Sequence, residues 1–285
     1  MNTSSAAFKP PTVSIVTVVR NDVENIERTM LSVLNQTYPH VEYVIIDGGS
    51  TDGTVDVIKK YANRLAFWVS EPDRGIFQAM NKGIDHVTGE WINFMNSGDY
   101  FYQNDVFEKI FTDPTIVQAD CLYGGFVGIV DGQPVLSEAF DDVKSRAWKG
   151  LPLGHQTLFA RTELMKKHKF DTKYRVSADG DFVLRCIAEG RVFKKVEPII
   201  FQVGTLGFSY NNQWKARFEN WRIARKYFGG ICTDLFFLWS TVYAFCFGIF
   251  KRVTPKFIYS FLRKMYQPLK NKIMYKRYKY TWLNK

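Results

Sequence analysis

Two short stretches place carboxylates where they could act on a polar substrate. The run Asn96, Ser97, Gly98, Asp99 ends in one carboxylate, the kind of hard oxygen donor that holds a divalent cation against phosphate oxygens. Further along, SADGDF supplies Asp179 and Asp181, and a positioned carboxylate can take the proton of an attacking hydroxyl. DGGSTDGT carries Asp47, and SEPDRG carries Asp73. Beside Gly, Ser or Pro an Asp is also an ordinary turn or helix-capping residue, although Asp52 fits the capping role better than Asp47. LGHQTLF adds His155 and Gln156, where the histidine is equally compatible with a purely structural role.

These residues need a scaffold that brings them together. Val13 to Val19 is a short β-branched run that reads as a buried parallel strand. A helix with Ile26, Met30, Leu31 and Leu34 on one face follows, with Asn21 or Asp22 as cap, and then a second strand from Val41 to Ile46 that ends at Asp47. A third strand at Leu65 to Val69, a helix around Gly75 to Val87 and a strand at Glu90 to Met95 continue the alternation, which predicts an α/β fold with a mostly parallel sheet. Ligands of such sheets gather at the C-terminal strand ends. Those ends carry Thr17 to Asn21, Asp47 to Ser50, Ser70 to Arg74 and Asn96 to Asp99, four polar clusters on one edge.

After Asp105 the regularity weakens. Cys121 to Val130 and Gln133 to Phe140 read as antiparallel strands around an Asp131-Gly132 turn, His155 to Ala160 as another short strand, and Asp179 to Gly190 as a helix. The expected boundary divides residues 1–207, a catalytic domain, from residues 208–285, a helical extension. In the extension, Trp214, Phe218, Trp221, Ile223, Ala224 and Tyr227 alternate with Lys and Arg, as in an amphipathic helix. Leu235 to Phe250 is apolar but shorter than the roughly 20 residues of a membrane span, so an interfacial or re-entrant helix is expected.

The chain has 285 residues and a formal charge of +10, and from Ile223 onward Asp234 is the only acidic residue. A cationic, aromatic tail suits an anionic membrane surface better than a helical cap packed on the domain. Nucleic acid is not an expected partner, because its basic residues should line one groove of the folded domain. The four cysteines form no CxxC pair and read as reduced thiols. The N-terminus has no apolar signal region. The cytoplasmic face of the inner or plasma membrane is the expected location, with peripheral or monotopic attachment. A Rossmann oxidoreductase would need GxGxxG after the first strand, and VVRNDVEN has no glycine.

Taken in order, VSIVTVVRN, VIIDGGSTDGT, SEPDRGIFQAMNKGI and TGEWINFMNSGD resemble glycosyltransferase family two over about the first two hundred residues. The resemblance implies the GT-A fold and transfer of a sugar from a nucleoside diphosphate, a UDP-sugar, with inversion. It implies Thr17, Arg20, Asp47, Asp73, Asn81 and Asn96 around the donor, with Asn81 alternatively steadying a loop. Asp99 is the implied ligand of Mn²⁺ or Mg²⁺ and Asp179 the implied base. His155, Gln156 and Asp181 fall near the acceptor or the phosphates. The family more often has Tyr at the position of Arg20 and a second carboxylate at that of Asn96. With the tail, the resemblance points to a lipid-linked glycan acceptor in bacterial surface polysaccharide assembly, such as O-antigen or capsule. The alternative is a nucleic-acid-binding or membrane scaffold protein with an inactive nucleotide-binding fold.

Overall fold

A computed structural model describes residues 8–130, 133–150, 153–204, 212–253 and 280–282. The β-branched run predicted as the first strand is β1 (Val13–Val19), buried at every position. It pairs in parallel with β2 (Val41–Asp47) on one side and β4 (Trp91–Phe94) on the other, and β3 (Phe67–Ser70) adds in parallel to β2. The crossovers are α1 (Ile26–Leu34), α2 (Thr54–Lys60) and α3 (Ile76–His86). This parallel run β3-β2-β1-β4 puts the ends of β1, β2, β3 and β4 on one edge, as the strand-helix alternation requires.

Beyond β4 the sheet becomes mixed. β8 (Leu158–Arg161) joins β4 antiparallel, followed by β6 (Cys121–Val130) and β7 (Gln133–Ser137), all within one sheet. β9 (Phe193–Gln202) pairs with β6 in parallel and with β5 (Tyr100–Phe101) antiparallel, and β10 (Tyr280–Trp282) closes on β7. The register of β6 with β9 shifts on either side of Gly125. The short helices α4 (Val106–Phe111) and α5 (Thr162–His168) had no counterpart in the periodicity of the sequence. The expected Asp131-Gly132 turn and the boundary at residue 207 lie outside the described residues.

Apolar cores lie on both faces of the sheet. Ile26, Met30, Ile58, Phe107 and Phe111 fill one face. Phe77, Met80, Ile84, Phe182 and Val183 fill the other, from α3 and α6 (Ala178–Ala188). The amphipathic helix of the extension is α7 (Gln213–Phe228), and its Ile223 and Ala224 are buried in this second core. It thus packs on the domain. α8 (Ile231–Val253) follows; among the described residues no helix is long and apolar enough to cross a membrane. The segment 254–279 of the predicted basic tail lies outside the described residues.

Candidate active site

The strand-end loops are built by their own polar side chains. Asp47 is fully buried at the end of β2. Its Oδ2 accepts from the N–H of Gly49 (3.0 Å) and Ser50 (2.8 Å) and from Ser70 Oγ (2.6 Å), and its Oδ1 accepts from Ser50 Oγ. Four donors offset the cost of burying the carboxylate. Gly49 has φ +75, the left-handed region that glycine adopts without strain. Asp47, expected to meet the nucleoside, thus organises the loop that precedes α2. Thr17 is also fully buried, and its hydroxyl donates to the Met95 carbonyl at 2.8 Å and meets Tyr43 Oη at 2.9 Å. Thr17 is not among the cleft-lining residues, and its hydroxyl is engaged within the sheet by Met95 and Tyr43.

Beside these loops lies a cleft of about 680 Å³. Arg20, Asp73, Arg74 and Arg175 line it over an apolar floor that includes Val18 and Phe77. Three guanidinium groups and one carboxylate suit a ligand that carries negative charge together with hydrogen-bonding edges. Asp73 Oδ1 is 2.6 Å from Lys82 Nζ on α3, which also pairs with Glu71 at 2.7 Å. Those two carboxylates raise the Lys82 pKa. Asn81 takes the loop-steadying role of its two expected ones. Its amide donates to the Phe170 carbonyl and accepts from the Phe170 N–H, both at 2.9 Å. This anchors the start of the segment whose Thr172, Tyr174 and Arg175 complete the cleft wall.

Asn96, Asp99, His155, Gln156 and Asp179 are not among the residues that line the cleft; they are linked to one another by a separate turn. His155 and Gln156, expected on a strand, form a 3-10 turn with Thr157, and β8 starts only at Leu158. The turn is held by Asn93 on β4, whose Nδ2 donates to the carbonyls of Gln156 (3.0 Å) and Leu158 (2.8 Å). In a 3-10 turn neighbouring side chains are about 120° apart around the axis, so His155 and Gln156 reach different partners from one turn. His155 Nδ1 is 3.0 Å from Asp179 Oδ2, and its Nε2 is 2.9 Å from Asn96 Nδ2. Gln156 Nε2 donates to Asp99 Oδ2 at 2.8 Å. One turn therefore touches Asn96, Asp99 and Asp179.

Asp99 is 9% exposed, and burial pushes its carboxyl pKa up, against the opposing hydrogen bond from Gln156. Its Oδ1 accepts weakly from the Gly204 N–H at 3.3 Å. Asn96 Oδ1 is buried without a hydrogen-bond partner. Ser97 Oγ donates to Asp22 Oδ2 at 2.6 Å and so ties this turn to the end of β1.

Asp181, expected with the acceptor or phosphates, is elsewhere. Helical positions two apart differ by about 200° around the axis, so Asp179 and Asp181 leave α6 on opposite faces. Asp181 is 1% exposed and meets Arg185 (2.5 Å), Lys226 (3.0 Å) and Tyr227 Oη (3.0 Å). It docks α7 onto α6.

Residues 14–139 match the sequence model of Glycosyl transferase family 2. This segment belongs to that family. It contains every strand-end loop described above, from Arg20 to Asp99. An uncharacterised glycosyltransferase of Mycobacterium tuberculosis is 42% identical over 97 residues, 34% of this chain, so the match spans only 37% of that relative's length. Among solved structures, TarS of S. aureus in complex with UDP-GlcNAc has a TM-score of 0.61 at 19% identity, over 74% of this chain and 64% of that one. The mannosyltransferase PcManGT of Pyrobaculum calidifontis, in complex with GDP-Man and Mn²⁺, has a TM-score of 0.58 at 20% identity, over 76% and 63%. These likenesses show the fold, the GT-A arrangement expected for the family 2 segment.

Among the described residues no three His, Cys, Asp or Glu side chains form a metal cluster. The donors that are present fit a cation shared with a ligand. Asp99 is a desolvated carboxylate whose oxygens accept only from the neutral Gln156 amide and Gly204 N–H among the described residues, and Asn96 offers a buried amide oxygen left without a hydrogen bond among them. An all-oxygen set of this kind suits a hard divalent ion that takes its remaining ligands from phosphate and water.

Proposed function

We propose that this chain is an inverting glycosyltransferase that moves a sugar from a nucleoside diphosphate, a UDP-sugar, to a hydroxyl of a glycan. The observation that carries the reading is the turn 155–157, which links Asp99 and Asp179 through adjacent residues. The cleft takes the nucleoside diphosphate, with Arg20, Arg74 and Arg175 as countercharges and Asp73 as an acceptor for hydroxyl or base N–H groups. Asp99, with Asn96, would hold Mn²⁺ or Mg²⁺, which when bound neutralises charge on the diphosphate leaving group. Asp179 takes the proton as the acceptor oxygen bonds to the anomeric carbon, and the bond to the diphosphate breaks with its electron pair on the leaving oxygen. One displacement with one base inverts the anomeric centre.

The acceptor in this reading is a lipid-linked glycan used in surface polysaccharide assembly, met at the cytoplasmic face of the membrane. α8 leaves Leu235, Leu238, Trp239 and Val242 more than half exposed at i, i+3, i+4 and i+7 spacing. An apolar stripe next to a sequence rich in Lys and Arg suits insertion at the surface of an anionic bilayer.

A panel of UDP-GlcNAc, UDP-glucose, UDP-galactose and GDP-mannose, assayed for Mn²⁺-dependent nucleotide release, tests the reaction. Release from one of them, stopped by Asp99→Ala and Asp179→Asn, is expected. Sedimentation with phosphatidylglycerol vesicles tests the membrane arm, and a chain that stays in the supernatant contradicts it.

A further inference from the structure

The helix that carries Asp179 is held at its start by a residue far away in sequence. Glu219 of α7 is 6% exposed. Its Oε1 accepts from the Arg175 N–H at 3.0 Å, and its Oε2 accepts from the N–H groups of Val176 (2.9 Å) and Ser177 (3.0 Å). These amides run directly into the N-terminus of α6, where backbone N–H groups have no partners within the helix and the dipole is positive. A buried carboxylate is costly unless it is fully hydrogen-bonded, and an apolar side chain here would leave three amides unsatisfied. Glu219 is therefore matched to the conformation of residues 175–177.

That segment has a functional residue at each end. Arg175 is part of the cleft wall, and Asp179 lies two residues beyond Ser177. A second grip follows one turn later, where Asp181 meets Lys226 and Tyr227 of the same α7. We infer that Glu219 is a positioning residue for the transfer reaction, holding the cleft wall and the base in one fixed relation through the backbone of residues 175–177. The inference rests on the proposed role of Asp179. It makes α7 a working part of the catalytic unit and not a linker to the membrane.

The test compares Glu219→Ala and Glu219→Gln with the wild-type chain, using the sugar nucleotide that turns over in the panel above. Gln keeps an acceptor for Val176 and Ser177 but turns an NH₂ toward the third amide. Misplacement of a catalytic group by about 1 Å costs on the order of 100-fold in rate. In Glu219→Ala, kcat per folded molecule should fall about 10- to 100-fold and the Kd for UDP should rise several-fold, with Gln recovering part of both. If Ala fails to fold, the Gln variant alone gives the reading. A lowered Tm with unchanged kcat per folded molecule and unchanged UDP Kd would show a merely structural role and overturn the inference. Asp179→Asn, measured alongside, separates the two claims. Full turnover by that variant removes the base assignment, whereas full turnover by Glu219→Ala beside an inactive Asp179→Asn removes only this one.

Discussion

His155 Nδ1 lies 3.0 Å from Asp179 Oδ2, and the same ring meets Asn96 Nδ2 through Nε2 at 2.9 Å. With the amide donating, Nε2 is the acceptor and the ring proton sits on Nδ1, donated to Asp179. The other oxygen of Asp179 accepts from the Gly180 N–H at 2.9 Å. Both carboxylate oxygens are thereby held, and His155 sets how the carboxylate is turned.

Replacing His155 should leave donor binding largely intact and damage the chemical step. His155→Ala is expected to lower kcat about 10- to 100-fold, below the about 10²- to 10⁴-fold of a general base itself. The Kd for UDP should change less than about threefold, within the noise of lost packing. Steady-state kinetics together with calorimetric titration of UDP checks the split.

Asp99 gives a pH signature. Burial raises its folded-state pKa above the ordinary 3.8, so the folded protein takes up this proton before the unfolded chain does. Between the unfolded and the folded value the contribution to stability falls as pH rises, opposite to that of an ion-paired Asp. The same proton competes with a cation. Mn²⁺ affinity in the presence of UDP should drop as pH falls through the raised value, and Asp99→Asn should lose both the affinity and the inflexion. Titration of Mn²⁺ at several pH values measures this.

Asp181 separates stability from donor binding. Removing it leaves Arg185 and Lys226 without their shared carboxylate, but these are 22% and 44% exposed and can recover water. Asp181→Ala should therefore cost about 2–3 kcal/mol, at or below the roughly 3–5 kcal/mol of breaking a fully buried pair. Urea unfolding measures the loss, and UDP affinity at a temperature well below Tm should stay unchanged.

Gly204 packs against the turn that carries Asp99. A Cβ built at Gly204 runs into the Gly98 carbonyl, a backbone atom that cannot swing away. Gly204→Ala should destabilise the fold by about 1–3 kcal/mol and shift Asp99. Cation-dependent turnover should fall further than the unfolded fraction explains, as an activity assay set against a melting curve would show.

The parallel half of the fold was legible because it is written locally. The apolar run of β1, the alternation through α3 and the polar residues at each strand end lie within one hundred residues of each other, and the loops stand where that pattern put them. The second half was not. β9 pairs with both β5 and β6, and no local period announces such contacts. His155 and Gln156 read as the start of a strand because Leu158 to Ala160 is one; the hold of Asn93 on their turn spans more than sixty residues of sequence. The placement of Asp181 was available from helix geometry alone, since two residues along a helix cannot share a face. Nothing local marked Glu219, whose partners lie 42 to 44 positions away.

The division of labour between the two carboxylates is most directly measured in Asp179→Asn, by comparing UDP–Mn²⁺ affinity with sugar transfer. Affinity within about threefold of wild type, with transfer reduced at least about 100-fold, is the expected result for a base that does not hold the donor. Transfer at the wild-type rate, with the nucleotide still bound, would contradict it.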